Sequence, residues 1–265
     1  IKGDLNDVVT NNSPIDIDKL IEGTNEILSA NRNSLQLFDM LHSMRQFDDL
    51  TYVHSVNVAL IASILGQWLK FSEKDIRILT ISGLLHDIGK IMIPNEILTK
   101  PGKLTVAEYN IMKQHVNFGY EKVKNQNIDI RIKEACLLHH EKCDGTGYPF
   151  GLKSDQIPAV AKIIAIADVY DAMTSARVYR GALCPFEVID TMYKDAFTKF
   201  EPEYILPFLK NVASSYINND VRLSDGRIGK VVLINENALS LPIVQCEDEF
   251  IDLSKTRGLT VSAIL

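Results

Sequence analysis

The chain has no CxxC pair, no long apolar run, no basic tract and no internal repeat, and each absence removes a class of protein. Its four cysteines, Cys136, Cys143, Cys184 and Cys246, are scattered. That argues against the disulfide framework of a small secreted domain and for free thiols in a reducing, cytoplasmic setting. The longest strongly apolar stretch, Val58 to Leu65, contains Ser63 and falls far short of the roughly 20 residues of a membrane helix. A formal net charge of -6 speaks against a nonspecific surface for duplex nucleic acid, whose affinity comes from neutralised phosphates. A small phosphate ligand stays open, because it needs only a metal and a few basic groups. No basic, small-residue-terminated signal segment follows Ile1, so the expected start is a domain edge, with room for a sensory domain upstream.

What is present is enough for a large core: 265 residues, 46% hydrophobic and 23% charged, fit one large domain with a small appendage. Residues 1–48 read as a polar lead-in and an N-terminal helical segment, with Ile17, Leu20, Ile21, Ile27, Leu28, Leu35, Phe38 and Leu41 at helical spacing. Residues 49–215 continue as helices. One runs over Val53–Leu69; a second starts at the Ser72–Asp75 cap and runs into His86-Asp87. A third is launched by Thr105 and Glu108 and passes through Ile111 and Met112 to His115. Two more cover Asp129–His139 and Ala161–Ser175, separated by a turn-rich loop, Asp144-Gly145-Thr146-Gly147-Tyr148-Pro149. From about Tyr216 short alternating segments replace helical periodicity: Val221–Leu223, Gly229–Ile234, Pro242–Val244 and Phe250–Leu253. The expected fold class is therefore mainly α, with residues 216–265 as a small β-rich cap on the helical body.

Five of the six histidines keep company with acids or lysine: His54, His86 beside Asp87, His115, and the doublet His139-His140, with Asp168 following. Neutral imidazole and carboxylate hold zinc, manganese or ferrous iron while leaving positions open to water and substrate. Each residue can alternatively be a satisfied local polar group, since separation along the chain does not place them together. Taken jointly they point to a shared metal site. Asp87 has two oxygens and can bridge two ions. One ion would then take His54, His86 and Asp168, and the other His115, His139 and His140. Two metals activate water and stabilise charge developing at phosphorus. Lys90 could hold a nonbridging phosphate oxygen as a point charge, or be a solvated lysine at a helix end.

His86-Asp87 within HDIGK resembles the signature of the HD metal-dependent phosphohydrolase superfamily. The run from His139-His140-Glu141 through Asp144-Gly145-Thr146-Gly147-Tyr148-Pro149 resembles that of its HD-GYP branch, the cyclic-di-GMP phosphodiesterases. With Asp168 to Ser175 and Arg177-Val178-Tyr179-Arg180, the resemblance covers about residues 50–200.

The resemblance implies a helical body with a carboxylate-bridged pair of divalent ions, iron or manganese. That centre opens a cyclic dinucleotide to linear pGpG and, in some members, proceeds to GMP. It implies His54, His86, Asp87 and Asp168 around one ion and Asp87, His115, His139 and His140 around the other. Lys90 then matches a phosphate-contacting lysine, Asp171 a pocket acid near the metals, and Tyr148 the tyrosine of the signature loop. Gly145, Gly147 and Pro149 shape that loop. Arg177 and Arg180 match basic positions that meet the nucleotide, beside the plain reading of exposed or salt-bridged arginines. Some relatives hold a third ion with a glutamate one turn before the first histidine; Leu50 stands there, which favours two ions and puts efficient second-step hydrolysis in doubt. Two other readings stay open: a hydrolase of another cyclic dinucleotide, including mixed GMP–AMP rings, and a sensor or docking module for a partner such as a diguanylate cyclase.

Overall fold

A computed structural model describes residues 13–22, 50–175 and 183–265. Most of the expected N-terminal segment, 1–48, lies outside these residues, as do Arg177 and Arg180. Residues 17–22 are helical, and Leu20 and Ile21 are buried in the main core.

Helix α1 (Leu50–Trp68) is buried without a break from Ser55 to Gly66, as expected of a helix apolar on nearly every face. Helix α2 (Glu73–Leu85) begins where Ser72 accepts the Asp75 amide, with Glu73 and Asp75 at the positive end of the helix dipole. It ends one residue before His86, earlier than periodicity suggests, and a 3₁₀ turn over Ile88–Met92 carries the chain on. Helix α3 (Asn95–Leu98) is short, and α4 (Val106–Met112) opens on the reciprocal Thr105–Glu108 capping box.

The sequence predicts one helix from Thr105 through His115, but the chain breaks at Lys113 and Gln114 and α5 (His115–Val123) starts afresh. The Met112 carbonyl accepts a hydrogen bond from the His115 ring instead of carrying the ladder on. The turn after α2 presses against this new helix. A Cβ on Gly89 would lie 2.0 Å from the His115 carbonyl oxygen and 2.4 Å from the Gly119 amide nitrogen. Only glycine allows that approach, and it brings the His86–Asp87 corner to the first residue of α5.

Helix α6 (Ile130–Leu138), capped by Asp129, and α7 (Ala159–Thr174) flank the turn-rich loop; α8 (Pro185–Asp195) and α9 (Pro202–Ser215) complete the described helices. The C-terminal strands are β1 (Asp220–Leu223), β2 (Ile228–Leu233), β3 (Ile243–Cys246), β4 (Glu249–Asp252) and β5 (Val261–Ile264). They form one antiparallel sheet in the order β4-β3-β2-β1-β5. Inward residues of β1 and β2 alternate with exposed ones, and Val221, Leu223, Val231, Val244 and Ile251 join the same core as the helices. The fifth strand goes beyond the four expected; it pairs with β1 and packs on α8. Among the described residues no helix is long and apolar enough to cross a membrane.

Candidate metal centre

The histidines and acids singled out in the sequence arrive from five helices, mostly at their ends. His54 projects from α1, His86 and Asp87 follow α2, His115 opens α5, His139 and His140 follow α6, and Asp168 sits within α7. They converge on the Asp87 carboxylate. Its Oδ2 lies 3.2 Å from His86 Nε2 and 3.6 Å from His54 Nε2, while its Oδ1 lies 3.3 Å from His115 Nε2 and 3.9 Å from His139 Nε2. Asp168 approaches His54 Nε2 at 3.0 Å with Oδ1 and His140 Nδ1 at 3.8 Å with Oδ2. His86, Asp87, His115, His139 and Asp168 are all buried.

The backbone decides which ring nitrogens face inward. His86 Nδ1 lies 2.7 Å from the Gly83 carbonyl, His115 Nδ1 2.8 Å from that of Met112, and His139 Nδ1 3.0 Å from that of Ala135. A carbonyl only accepts, so each Nδ1 carries a proton and each Nε2 points toward Asp87; burial keeps His115 and His139 neutral, with their Nε2 lone pairs inward. His115 Nε2 and His139 Nε2 then stand 3.4 Å apart, lone pair against lone pair. His86 Nε2 and Asp87 Oδ1 are buried without a hydrogen-bond partner, a state that costs about 1–3 kcal/mol per group. A cation held among them would satisfy all of these atoms at once.

The potential donors fall into two groups sharing one carboxylate: Asp87, His115, His139 and His140, and His54, His86 and Asp87, with ligand atoms in each group within 4.8 Å of one another. That sharing is the arrangement of a binuclear site. The electrostatics agree. Burial, reinforced by neighbouring imidazoles, holds His139 well below its ordinary range. Burial likewise lowers His140 to about 3 and also lowers His115, keeping these rings neutral as ligands must be. Burial opposes ionisation of Asp87, but His86 and Lys90 outweigh it and hold the carboxyl well below the usual range. At His54 burial is outweighed by Asp168 and Asp171, which raise it to about 9; this corner favours a positive charge.

The remaining expected site residues surround this cluster. Lys90 Nζ rests 2.5 Å from Asp87 Oδ2, reached across the 3₁₀ turn rather than along a continued helix. Asp171 is buried behind His54, its Oδ2 2.7 Å from His54 Nδ1 and its Oδ1 receiving Asn57 Nδ2 at 2.9 Å. Tyr148 lays its ring over His140, centroids 4.7 Å apart and planes at 30°. In the signature loop Gly145 adopts φ +83°, and the Tyr148–Pro149 bond is cis. A Cβ on Gly147 would fall 2.4 Å from Glu141 Cα, so glycine lets the loop fold back on its own stem. Arg177, Arg180 and the Leu50 side chain lie outside the described residues.

Two functional positions escaped the sequence reading. Asn57 is buried and shares Asp171 with His54; its signal was the i, i+3 spacing from His54 on one helix face. Glu141, buried at the stem of the loop, accepts the amides of Phe150, Gly151 and Leu152 at 2.7, 3.1 and 2.9 Å. Its signal was an acid immediately after the histidine doublet, with no partner visible in sequence.

A helical body that gathers a histidine–aspartate cluster around one shared carboxylate defines a metal-binding site of the hydrolase type. The chain belongs to the HD domain family, whose model matches residues 24–204, and thus to the HD superfamily of phosphohydrolases. It is 37% identical over 203 residues to "Cyclic di-GMP phosphodiesterase PA4108" of Pseudomonas aeruginosa, a match covering 76% of this chain and 49% of that protein. It is also 37% identical over 173 residues to "3'3'-cGAMP-specific phosphodiesterase 1" of Vibrio cholerae, covering 64% of this chain and 38% of that protein. The chain thus spans about half or less of the length of these curated relatives. Among solved structures, Bd1817, a HDG"Y"P protein from Bdellovibrio bacteriovorus, shares the fold with a TM-score of 0.59 at 22% identity, over 72% of this chain and 60% of that one.

Proposed function

We propose that this chain is a two-metal phosphodiesterase of bacterial cytoplasmic signalling that hydrolyses cyclic-di-GMP to linear pGpG, with at most slow passage to GMP. The observation that carries the proposal is the buried Asp87 carboxylate standing between two sets of inward-facing imidazole nitrogens. One ion would be held by His54, His86, Asp87 and Asp168, the other by Asp87, His115, His139 and His140. Iron and manganese suit these nitrogen and oxygen donors. When bound, such a pair supplies Lewis acidity toward a phosphodiester and a nucleophile at neutral pH.

The chain's own residues then divide the remaining work. Water oxygen bonds to phosphorus as the bond to the 3′ oxygen breaks; the water gives up a proton and the departing oxygen takes one up, so one water is added across the P–O bond to give a phosphomonoester and a free 3′ hydroxyl. Lys90, held against Asp87 by the 3₁₀ turn, is placed to balance charge on a nonbridging phosphate oxygen. Asp171 and Asn57 hold His54 in one orientation, as carboxylates behind ligating histidines do. Tyr148 covers His140 and forms one wall of the approach. Arg177 and Arg180 are assigned to the nucleotide on the family resemblance alone.

The similarity to a 3'3'-cGAMP-specific phosphodiesterase supports a second reading, in which a mixed ring is the substrate; the metal centre serves either. Anaerobic incubation of Fe(II)- or Mn(II)-loaded protein with each cyclic dinucleotide, resolved by chromatography, separates the readings. Accumulating pGpG, lost in H86A and D87A, is expected. Turnover of only the mixed ring would move the assignment to the second reading. Binding without product from either ring, at full metal occupancy, would replace the enzyme with a sensor.

A further inference from the structure

Beside the metal centre stands a pair of side chains to which no role above is assigned. Tyr109 on α4 and Lys113 just past its end are four residues apart. Tyr109 is 48% exposed, and its ring meets that of Tyr148 edge to face with centroids 6.5 Å apart. Lys113 Nζ sits 5.3 Å from the Tyr109 centroid and 5.9 Å from the Tyr148 centroid. Spacing along one helix explains the first contact, but the second joins α4 to the signature loop. Tyr148 in turn lies against the rings of His140 and His115, centroids 4.7 and 6.4 Å away. Two ring contacts therefore connect Tyr109 to the histidine cluster.

Lys90 and Lys113 hold their charges differently. Lys90 is committed to Asp87. Lys113 lies over aromatic faces, and among the described residues no carboxylate comes within 4.0 Å of its ammonium. A half-exposed aromatic ring beside an uncompensated ammonium, next to a centre for phosphate chemistry, matches the two things a nucleotide offers: a π-face and an anionic oxygen.

We propose that Tyr109 and Lys113 form the subsite for the half of a cyclic dinucleotide that is not being cleaved. Tyr109 stacks a purine, and Lys113 holds the phosphate across the ring from the scissile one. The subsite rests on the phosphodiesterase reading for its ligand, and it sets affinity rather than the rate of bond cleavage.

The test uses the metal-loaded full chain and follows equilibrium binding of cyclic-di-GMP and 3′3′-cGAMP beside turnover. Tyr109→Ala should raise Kd and KM roughly tenfold, as loss of one stacked base does. Lys113→Met should do so by a similar factor that shrinks as salt is raised. Metal content, kcat and hydrolysis of bis(p-nitrophenyl) phosphate, which has no second phosphate, should be unchanged. Tyr109→Phe and Lys113→Arg should restore binding. Variant Kd values within twofold of wild type would overturn the proposal. So would a parallel loss of the small-diester activity, or a wild type that binds neither ring. Binding that the variants weaken, without turnover in the wild type, would sink the phosphodiesterase reading and uphold the subsite.

Discussion

Glu141 offers a sharp quantitative test, because its contribution is confined to one loop. Its buried carboxylate receives three consecutive backbone amides, Phe150 at 2.7 Å, Gly151 at 3.1 Å and Leu152 at 2.9 Å. A hydrogen bond to a charged group contributes about 1.5–3 kcal/mol net, so three at the lower figure sum to about 4.5 kcal/mol. Phe150 is exposed, and water re-solvating the freed amides offsets part of that loss, leaving about 3 kcal/mol. The Glu141→Ala variant should therefore open the loop about 150-fold more often. Hydrogen exchange of the peptide spanning residues 148–153 reads this directly, because local opening governs amide exchange there. Glu141→Gln, which keeps a single acceptor oxygen, should fall between variant and wild type. Metal content should stay near the wild-type level, since the His139 ring is anchored on the Ala135 carbonyl of α6 and only His140 meets the loop, through the Tyr148 amide and ring. Exchange within threefold of wild type in Glu141→Ala would refute the clamp.

Other perturbations reach other parts of the account. Gly89→Ala places a Cβ 2.0 Å from the His115 carbonyl oxygen. A backbone clash of that kind should cost about 3 kcal/mol and lower Tm by roughly 6–12 °C; an unchanged calorimetric Tm would contradict the packing described. Asp171→Asn removes the charge behind His54 and should weaken metal binding about 10- to 100-fold in chelator competition, and a change under threefold would remove Asp171 from the support of the site. Glu108 is held at about 2, below its ordinary 4.5, first by Lys100 and then by Thr105. Because the folded value is depressed, its contribution to stability is present above 4.5 and is lost as pH falls through about 2. An NMR titration of the Glu108 carboxyl with a midpoint near 4.5 would show that the capping box does not form.

Much of the site could be read before the fold was seen, for a physical reason. Ligand chemistry is local: a histidine beside an aspartate, a histidine doublet and an isolated acid on a helix advertise donors wherever they sit. The same holds for Ser72 and Thr105, whose caps depend on residues three positions away. What the chain did not reveal depends on contacts between distant segments. The break before His115 needs the ring to reach the Met112 carbonyl and Gly89 to admit α5. Asn57 reads as an ordinary polar residue until Asp171, 114 positions away, meets it. Glu141 looks like part of a motif without a task until the loop folds over it, and β5, four residues without clean alternation, gains its identity only by pairing with the distant β1. Lys90, four positions past His86, reaches Asp87 because the helix ends first and a 3₁₀ turn delivers it.

If Asp87 is shared by two metal ions, metal content per chain is the decisive readout. Elemental analysis of Mn(II)- or Fe(II)-reconstituted protein should give two ions per chain for the wild type. The Asp87→Ala variant, folded by circular dichroism, should fall well below one, because both donor groups lose the same carboxylate. A wild type that saturates at one ion, or an Asp87→Ala protein that still holds two, would contradict the shared carboxylate.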